Sequence, residues 1–122
     1  MTSETKEMLR ESMIPVILGN GASSCRLAWR LYRRLGTVSL RLGFHRRPSD
    51  LLGLFCLFRS AARNDRLLFE QLIDLSEEFD GYLLLLIPSD EFSKHRIDAY
   101  REALESKFIF SSPDEIFEHI PT

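Results

Sequence analysis

The chain has 122 residues, 44% of them hydrophobic and 28% charged, with two cysteines and a net charge of −2. That length suits one domain with a real core, and the mix excludes a disordered or fibrous chain. The longest apolar run, Leu51–Phe58, is eight residues, well short of the roughly 18–20 that a membrane-spanning helix requires.

The start, Met1-Thr2-Ser3-Glu4-Thr5-Lys6-Glu7, is too polar and acidic for a secretory signal or a transit peptide. Cys25 and Cys56 stand in apolar surroundings and are too few for a disulfide framework or a metal knuckle. A cytoplasmic protein with no membrane contact is expected. Charge is divided along the chain. Residues 26–66 carry ten arginines against Asp50 and Asp65, whereas residues 67–122 carry four bases against thirteen acids. A basic half can face nucleic acid. The arginines, however, sit at helix-surface spacing without the interleaved aromatic residues of a single-strand binder. Basic and acidic helices are therefore expected to pack side by side and neutralise each other, and nucleic acid is not an expected partner.

Residues 1–13 read as an N-terminal extension, and 14–122 as the domain. Pro15-Val-Ile-Leu18 is a short apolar strand ending in the turn Gly19-Asn20-Gly21. A helical period follows from Cys25 to Leu35, with Cys25, Ala28, Leu31, Tyr32 and Leu35 on one face, Trp29 at its edge and four arginines opposite. Gly36 is the expected stop. Thr37–Leu42 alternates as a second strand with Val38, Leu40 and Leu42 facing one way. Gly43–Gly53 is near the minimum for a parallel crossover, and Leu54–Phe58 reads as a third strand.

Asn64 is a good N-cap for a helix running to Phe79, with an apolar stripe of Leu68, Phe69, Leu72, Leu75 and Phe79. Tyr82-Leu-Leu-Leu-Leu-Ile87 has the unbroken apolar character of a parallel strand buried on both faces. Pro88 ends it, and Ser89 is expected to cap a helix carrying Ile97, Tyr100, Leu104 and Phe108. Phe108-Ile-Phe110 reads as a short edge strand, and Ser112-Pro113-Asp114-Glu115 as the capping box of one more helix. Alternating strands and helices predict an α/β fold, an open, mainly parallel sheet of four or five strands with helices on both faces.

Ligands in such sheets collect at the carboxyl ends of the strands. Two loops stand there. Gly19-Asn20-Gly21-Ala22-Ser23-Ser24 leads into a helix, where close backbone N–H groups and the helix dipole favour an anion. It reads G-x-G-x-x-S, one glycine short of the dinucleotide fingerprint, and in place of an acid to hold a ribose the second strand ends in Leu42 and Gly43 with Arg46 and Arg47 beyond, which suit a 2′-phosphate instead. A tight structural turn and a ligand loop both remain open for Gly19, Asn20, Gly21, Ser23 and Ser24. Ser89-Asp90-Glu91 forms the second loop, where a carboxylate can orient an amine or hydroxyl, or simply cap a helix. His45, His95 and His119 make no metal-ligand cluster by spacing, and no complete catalytic set is present. Cys25, Cys56, Trp29 and the phenylalanines are expected in the core.

Pro15-Val-Ile-Leu-Gly-Asn-Gly21, Tyr82-Leu-Leu-Leu-Leu-Ile-Pro-Ser-Asp-Glu-Phe92 with the helix Ser93–Leu104 behind it, and Phe108-Ile-Phe-Ser-Ser-Pro-Asp-Glu115 resemble the N-terminal domain of ATP-grasp carboxylate–amine ligases. The resemblance spans about residues 14–118. It implies a pre-ATP-grasp, Rossmann-like domain that supplies one wall of the substrate cleft and is not catalytic alone. The substrate implied is a small carboxylate or amine, and the matching positions are the Gly19–Ser24 loop and the Ser89–Glu91 turn. ATP and magnesium would belong to a missing ATP-grasp domain that follows, so no cofactor is expected on this chain. A homo-oligomer is compatible with it. The alternative is a free-standing Rossmann-like module that binds a nucleotide or a protein.

Overall fold

The computed structural model describes residues 13–19, 21–43 and 56–112, the side chains of 21–23 excepted. Along the chain run β1 (Met13–Leu18), α1 (Gly21–Leu35), β2 (Ser39–Gly43), β3 (Cys56–Ser60), α2 (Asp65–Glu78), β4 (Leu83–Pro88), α3 (Glu91–Asp98), α4 (Arg101–Glu105) and β5 (Ile109–Phe110). Among the described residues five strands form one sheet in the order β3-β2-β1-β4-β5, and every pair is parallel. The expected α/β architecture is therefore present. β1 holds the centre and β4 lies beside it, inside the sheet.

Alternation along β1 and β4 divides the core in two. Val16, Leu18, Leu84 and Leu86 pack with Leu68, Leu72 and Leu75 of α2, Ile97 of α3 and Leu104 of α4. Met13, Ile17 and Ile87 face the other way and pack with Leu27, Ala28, Leu31 and Leu35 of α1. Period two in the strands sends successive side chains to opposite faces, so α1 covers one side and α2, α3 and α4 the other. Each fully buried leucine in these layers contributes roughly 1.5–3 kcal/mol by leaving water. Pro15 lacks an N–H, and the β1–β2 ladder begins only after it, at Val16, whereas β1 meets β4 from Met13 onward.

Helix α1 starts at Gly21, four residues before the period becomes visible in the sequence. Its buried face is Ser24, Leu27, Ala28, Leu31 and Leu35, rotated from the expected one. Cys25 is only half-buried, while Trp29 at 46% and Tyr32 at 37% exposure lie outside the core, their rings stacked 6.0 Å apart. Phe92 is exposed as well. Aromatic bulk suggests core, but the one stripe that faces the sheet is filled by leucine, alanine and a serine. The charged helices do not lie side by side either, because the sheet stands between arginine-bearing α1 and acid-bearing α2.

The third strand is described over Cys56–Ser60 and runs two residues past its expected end at Phe58, while residues 44–55, with the expected crossover and the expected start of that strand, lie outside the described residues. Val38 stands ahead of β2 and is exposed. Asn64 caps α2 as expected, its Oδ1 accepting from the N–H groups of Arg66 at 2.9 Å and Leu67 at 3.2 Å. The expected long helix after β4 breaks at Ala99 and Tyr100 into α3 and α4. The expected capping box around Pro113–Glu115 lies outside the described residues. Among the described residues no helix is long and apolar enough to cross a membrane.

Candidate functional site

Strand order reverses between β1 and β4. The chain leaves β1 toward β2 on one side and leaves β4 toward β5 on the other, and the two strands end level, Leu18 opposite Pro88. Both loops singled out in the sequence therefore emerge next to each other at the carboxyl edge, the place where such sheets open a crevice.

At its base the crevice is closed. The Ser89 N–H donates to the Leu18 carbonyl at 2.8 Å, and its hydroxyl donates to the same oxygen at 3.2 Å. The Gly19 N–H donates to the Leu42 carbonyl at 3.0 Å. A Cβ at position 19 would overlap Ser89 Oγ and lie 3.1 Å from Asp90 Oδ2. Gly19 also has φ +154°, a conformation that side-chain-bearing residues rarely adopt. Glycine is needed here because the exit of β4 fills the space its side chain would occupy.

Asp90, not Ser89, is the N-cap of α3. Its backbone is extended and its Oδ1 accepts from the Ser93 N–H at 2.7 Å. Glu91 follows in the first turn, where the helix dipole favours an acid. Ser24 is fully buried and accepts a hydrogen bond from Arg41 Nε at 2.8 Å. It serves packing beneath α1. Gly21 and Ser23 lie in the first turn of α1, and Asn20 lies outside the described residues.

Open space lies one strand further along. A cleft of about 500 Å³ sits at the carboxyl ends of β4 and β5. Ser89, Asp90 and Glu91 form one rim, Lys94 and Asp98 continue it along α3, and Arg101 closes the far side with Phe110, Ser111 and Ser112. Helical spacing puts Glu91, Lys94 and Asp98 on one stripe of α3. The Arg101 guanidinium stands 4.8 Å from the centre of the Phe110 ring, and its Nε donates to Glu105 at 3.1 Å. Those two contacts hold the cation at the edge of the cleft. Three carboxylates and two cations thus share one small space, an arrangement that complements a ligand bearing both signs of charge. Lys94, Asp98, Arg101, Ser111 and Ser112 were not singled out in the sequence. Their i, i+3, i+7 spacing from Glu91 is the signal that points to the first two.

Arg41 was also missed. It is fully buried on β2, with its guanidinium carbon 5.2 Å from the Phe58 ring centre. Its same-face neighbours Ser39 and Gly43 are small, and a Cβ at Gly43 would come within 3.2 Å of Arg41 Nη1 and 2.9 Å of the Phe58 ring. Small residues two before and two after a lone arginine leave the volume that a buried guanidinium fills.

Among the described residues no group of three or more His, Cys, Asp or Glu side chains is placed to hold a metal ion. No family model, curated protein or solved structure matches the chain.

Proposed function

We propose that the chain is the substrate-side domain of a ligase of the ATP-grasp carboxylate–amine type, and that the cleft beyond β4 and β5 receives a small zwitterionic or doubly charged substrate. The observation that carries this reading is the mixed-charge cleft placed beside the reversal of strand order. In that role Lys94 and Arg101 attract a carboxylate. Glu91 and Asp98 attract an ammonium group, and the hydroxyls of Ser111 and Ser112 orient what lies between. Asp90 holds the first turn of α3 and so fixes the positions of Glu91 and Lys94. The chain supplies binding and orientation. ATP and magnesium, which drive acyl-phosphate chemistry in such ligases, would be held by residues outside this chain.

The test is an NMR titration of the intact chain with a panel of amino acids and dipeptides, their amides and N-acetylated forms, and ATP. The zwitterions are expected to shift amide signals at 89–94, 98–101 and 110–112, and blocking either charge is expected to weaken binding about tenfold or more, the size of one charge-assisted hydrogen bond. Shifts confined to other surfaces would overturn the reading. Tight binding of ATP by this chain alone would replace it with a free-standing nucleotide-binding module.

A further inference from the structure

Helix α1 carries Arg26, Arg30, Arg33 and Arg34 and no acid. All four arginines are exposed, as are Trp29 and Tyr32 among them. On the opposite side of the sheet α2 exposes Leu67, Glu70, Asp74 and Glu77 along one stripe, Leu67 at 55%, with exposed Arg66 at its head 3.5 Å from Glu70, so that the stripe keeps a net negative charge. Arg26, Arg30 and Arg33 fall at i, i+4 and i+7, and Glu70, Asp74 and Glu77 fall at the same intervals. Both triplets therefore repeat along a helix surface with one geometry, about 6 Å and then 4.5 Å of rise.

Within one molecule these stripes cannot meet, because the sheet and both core layers lie between them. Between two molecules they can. We propose that the basic face of α1 docks on the acidic face of α2 in a second copy of this chain, head to tail. Matched charge spacing sets the register, and Trp29 on one face and Leu67 on the other supply apolar area that ion pairs lack. Two different surfaces are used, so the copy at each end of a pair still presents one surface that the contact does not use. Such contacts add copies in a row instead of closing a two-fold dimer. A 15-residue helix is only about 22 Å long, which places the contact in the small, weak and salt-sensitive class. The inference concerns the helix surfaces and is independent of the cleft.

The test is sedimentation of the intact chain over a concentration series, at about 10 mM and about 1 M salt, where screening lengths are near 30 Å and 3 Å. At low salt the average mass is expected to rise past twice the monomer value without a plateau, and at high salt to fall back to the monomer. Trp29 is the only tryptophan, so its emission should move to the blue as copies associate. Arg26→Glu, Arg30→Glu and Arg33→Glu together should give a folded monomer, as should Glu70→Lys, Asp74→Lys and Glu77→Lys together. Mixing the two triple variants should restore association, which a merely misfolded variant could not do. A monomer at every low-salt concentration, a salt-insensitive plateau at two copies, or no association in the mixture would overturn the proposal. A chain that stays monomeric but whose Trp29 emission is quenched by single-stranded oligonucleotide would assign the basic face to nucleic acid instead.

Discussion

Replacing Gly19 by alanine tests the closed base of the crevice most directly. The added Cβ would overlap Ser89 Oγ at a φ of +154°. Backbone strain of this kind costs about 1–3 kcal/mol, and forcing an atom into occupied space costs a further 1–3 kcal/mol or so. The stiffer unfolded chain returns roughly 0.4–1 kcal/mol in favour of alanine. A net loss of about 1–5 kcal/mol, centred near 3 kcal/mol, follows. In urea, with a slope of roughly 1–3 kcal/mol per M for a protein of this size, the unfolding midpoint should fall by about 1–2 M. Ser89→Ala alone removes a hydroxyl that donates to the Leu18 carbonyl at 3.2 Å, worth about 1 kcal/mol at most. It also vacates the space that the new methyl needs. The double variant should therefore be more stable than the sum of the singles predicts, by about 1–2 kcal/mol. Should Gly19→Ala cost less than about 1 kcal/mol, or the two changes simply add, the close approach of the β1 and β4 exits would be wrong.

Three further outcomes can be checked. Asp90→Ala should lower stability by about 0.5–2 kcal/mol through loss of the α3 cap, while Asp90→Asn, which caps nearly as well, should leave stability within a few tenths in a chemical melt. Arg41→Ala removes a buried side chain that donates to Ser24 and lies over Phe58. A loss of about 2–4 kcal/mol is expected, and Arg41→Met, which keeps most of the volume, should lose less. Glu78 accepts two hydrogen bonds from Arg59, at 2.6 and 2.7 Å, and these hold its carboxyl below the ordinary glutamate value. A lowered folded-state pKa means the contribution is present at neutral pH and lost as pH falls through the carboxylate range. Glu78→Gln should flatten the acid limb of the stability–pH curve, and an unchanged limb would show that the pair is fully solvated.

Sheet and helix order were legible because each element announces itself in a short pattern. Leu83–Pro88 is an unbroken apolar run, Asn64 stands before an apolar-periodic stretch, and Gly36 with φ +67° ends α1 as a left-handed glycine does. Boundaries were less legible where two patterns compete. Gly21, Ala22, Ser23 and Ser24 look like a loop by composition, yet the first turn of a helix needs no apolar residue until it reaches the core. Helical period assigns Tyr32 to the apolar face and bulk assigns Trp29 to the core, whereas the stripe facing the sheet is decided by which residues fit beneath a close-packed helix. One rim of the candidate site was readable, because Ser89, Asp90 and Glu91 follow a strand directly. Arg101 and Ser111 were not, since only the folded sheet brings the end of β5 beside the start of α3. Arg41 was hidden for a related reason. A charge in an alternating strand reads as wet unless its small neighbours on the same face are noticed.

The sheet's margins also limit how the molecule can meet its neighbours. β5 contributes two residues, too few to template another strand. At the opposite margin Gln71 of α2 reaches over the end of β3, donating to the Ser60 carbonyl at 2.8 Å and accepting from the Ala62 N–H at 2.9 Å. Main-chain polar groups at that corner are already engaged by a side chain. Runaway lateral growth, the usual hazard of open-ended parallel sheets, is thereby discouraged at one margin by brevity and at one corner of the other by a glutamine latch.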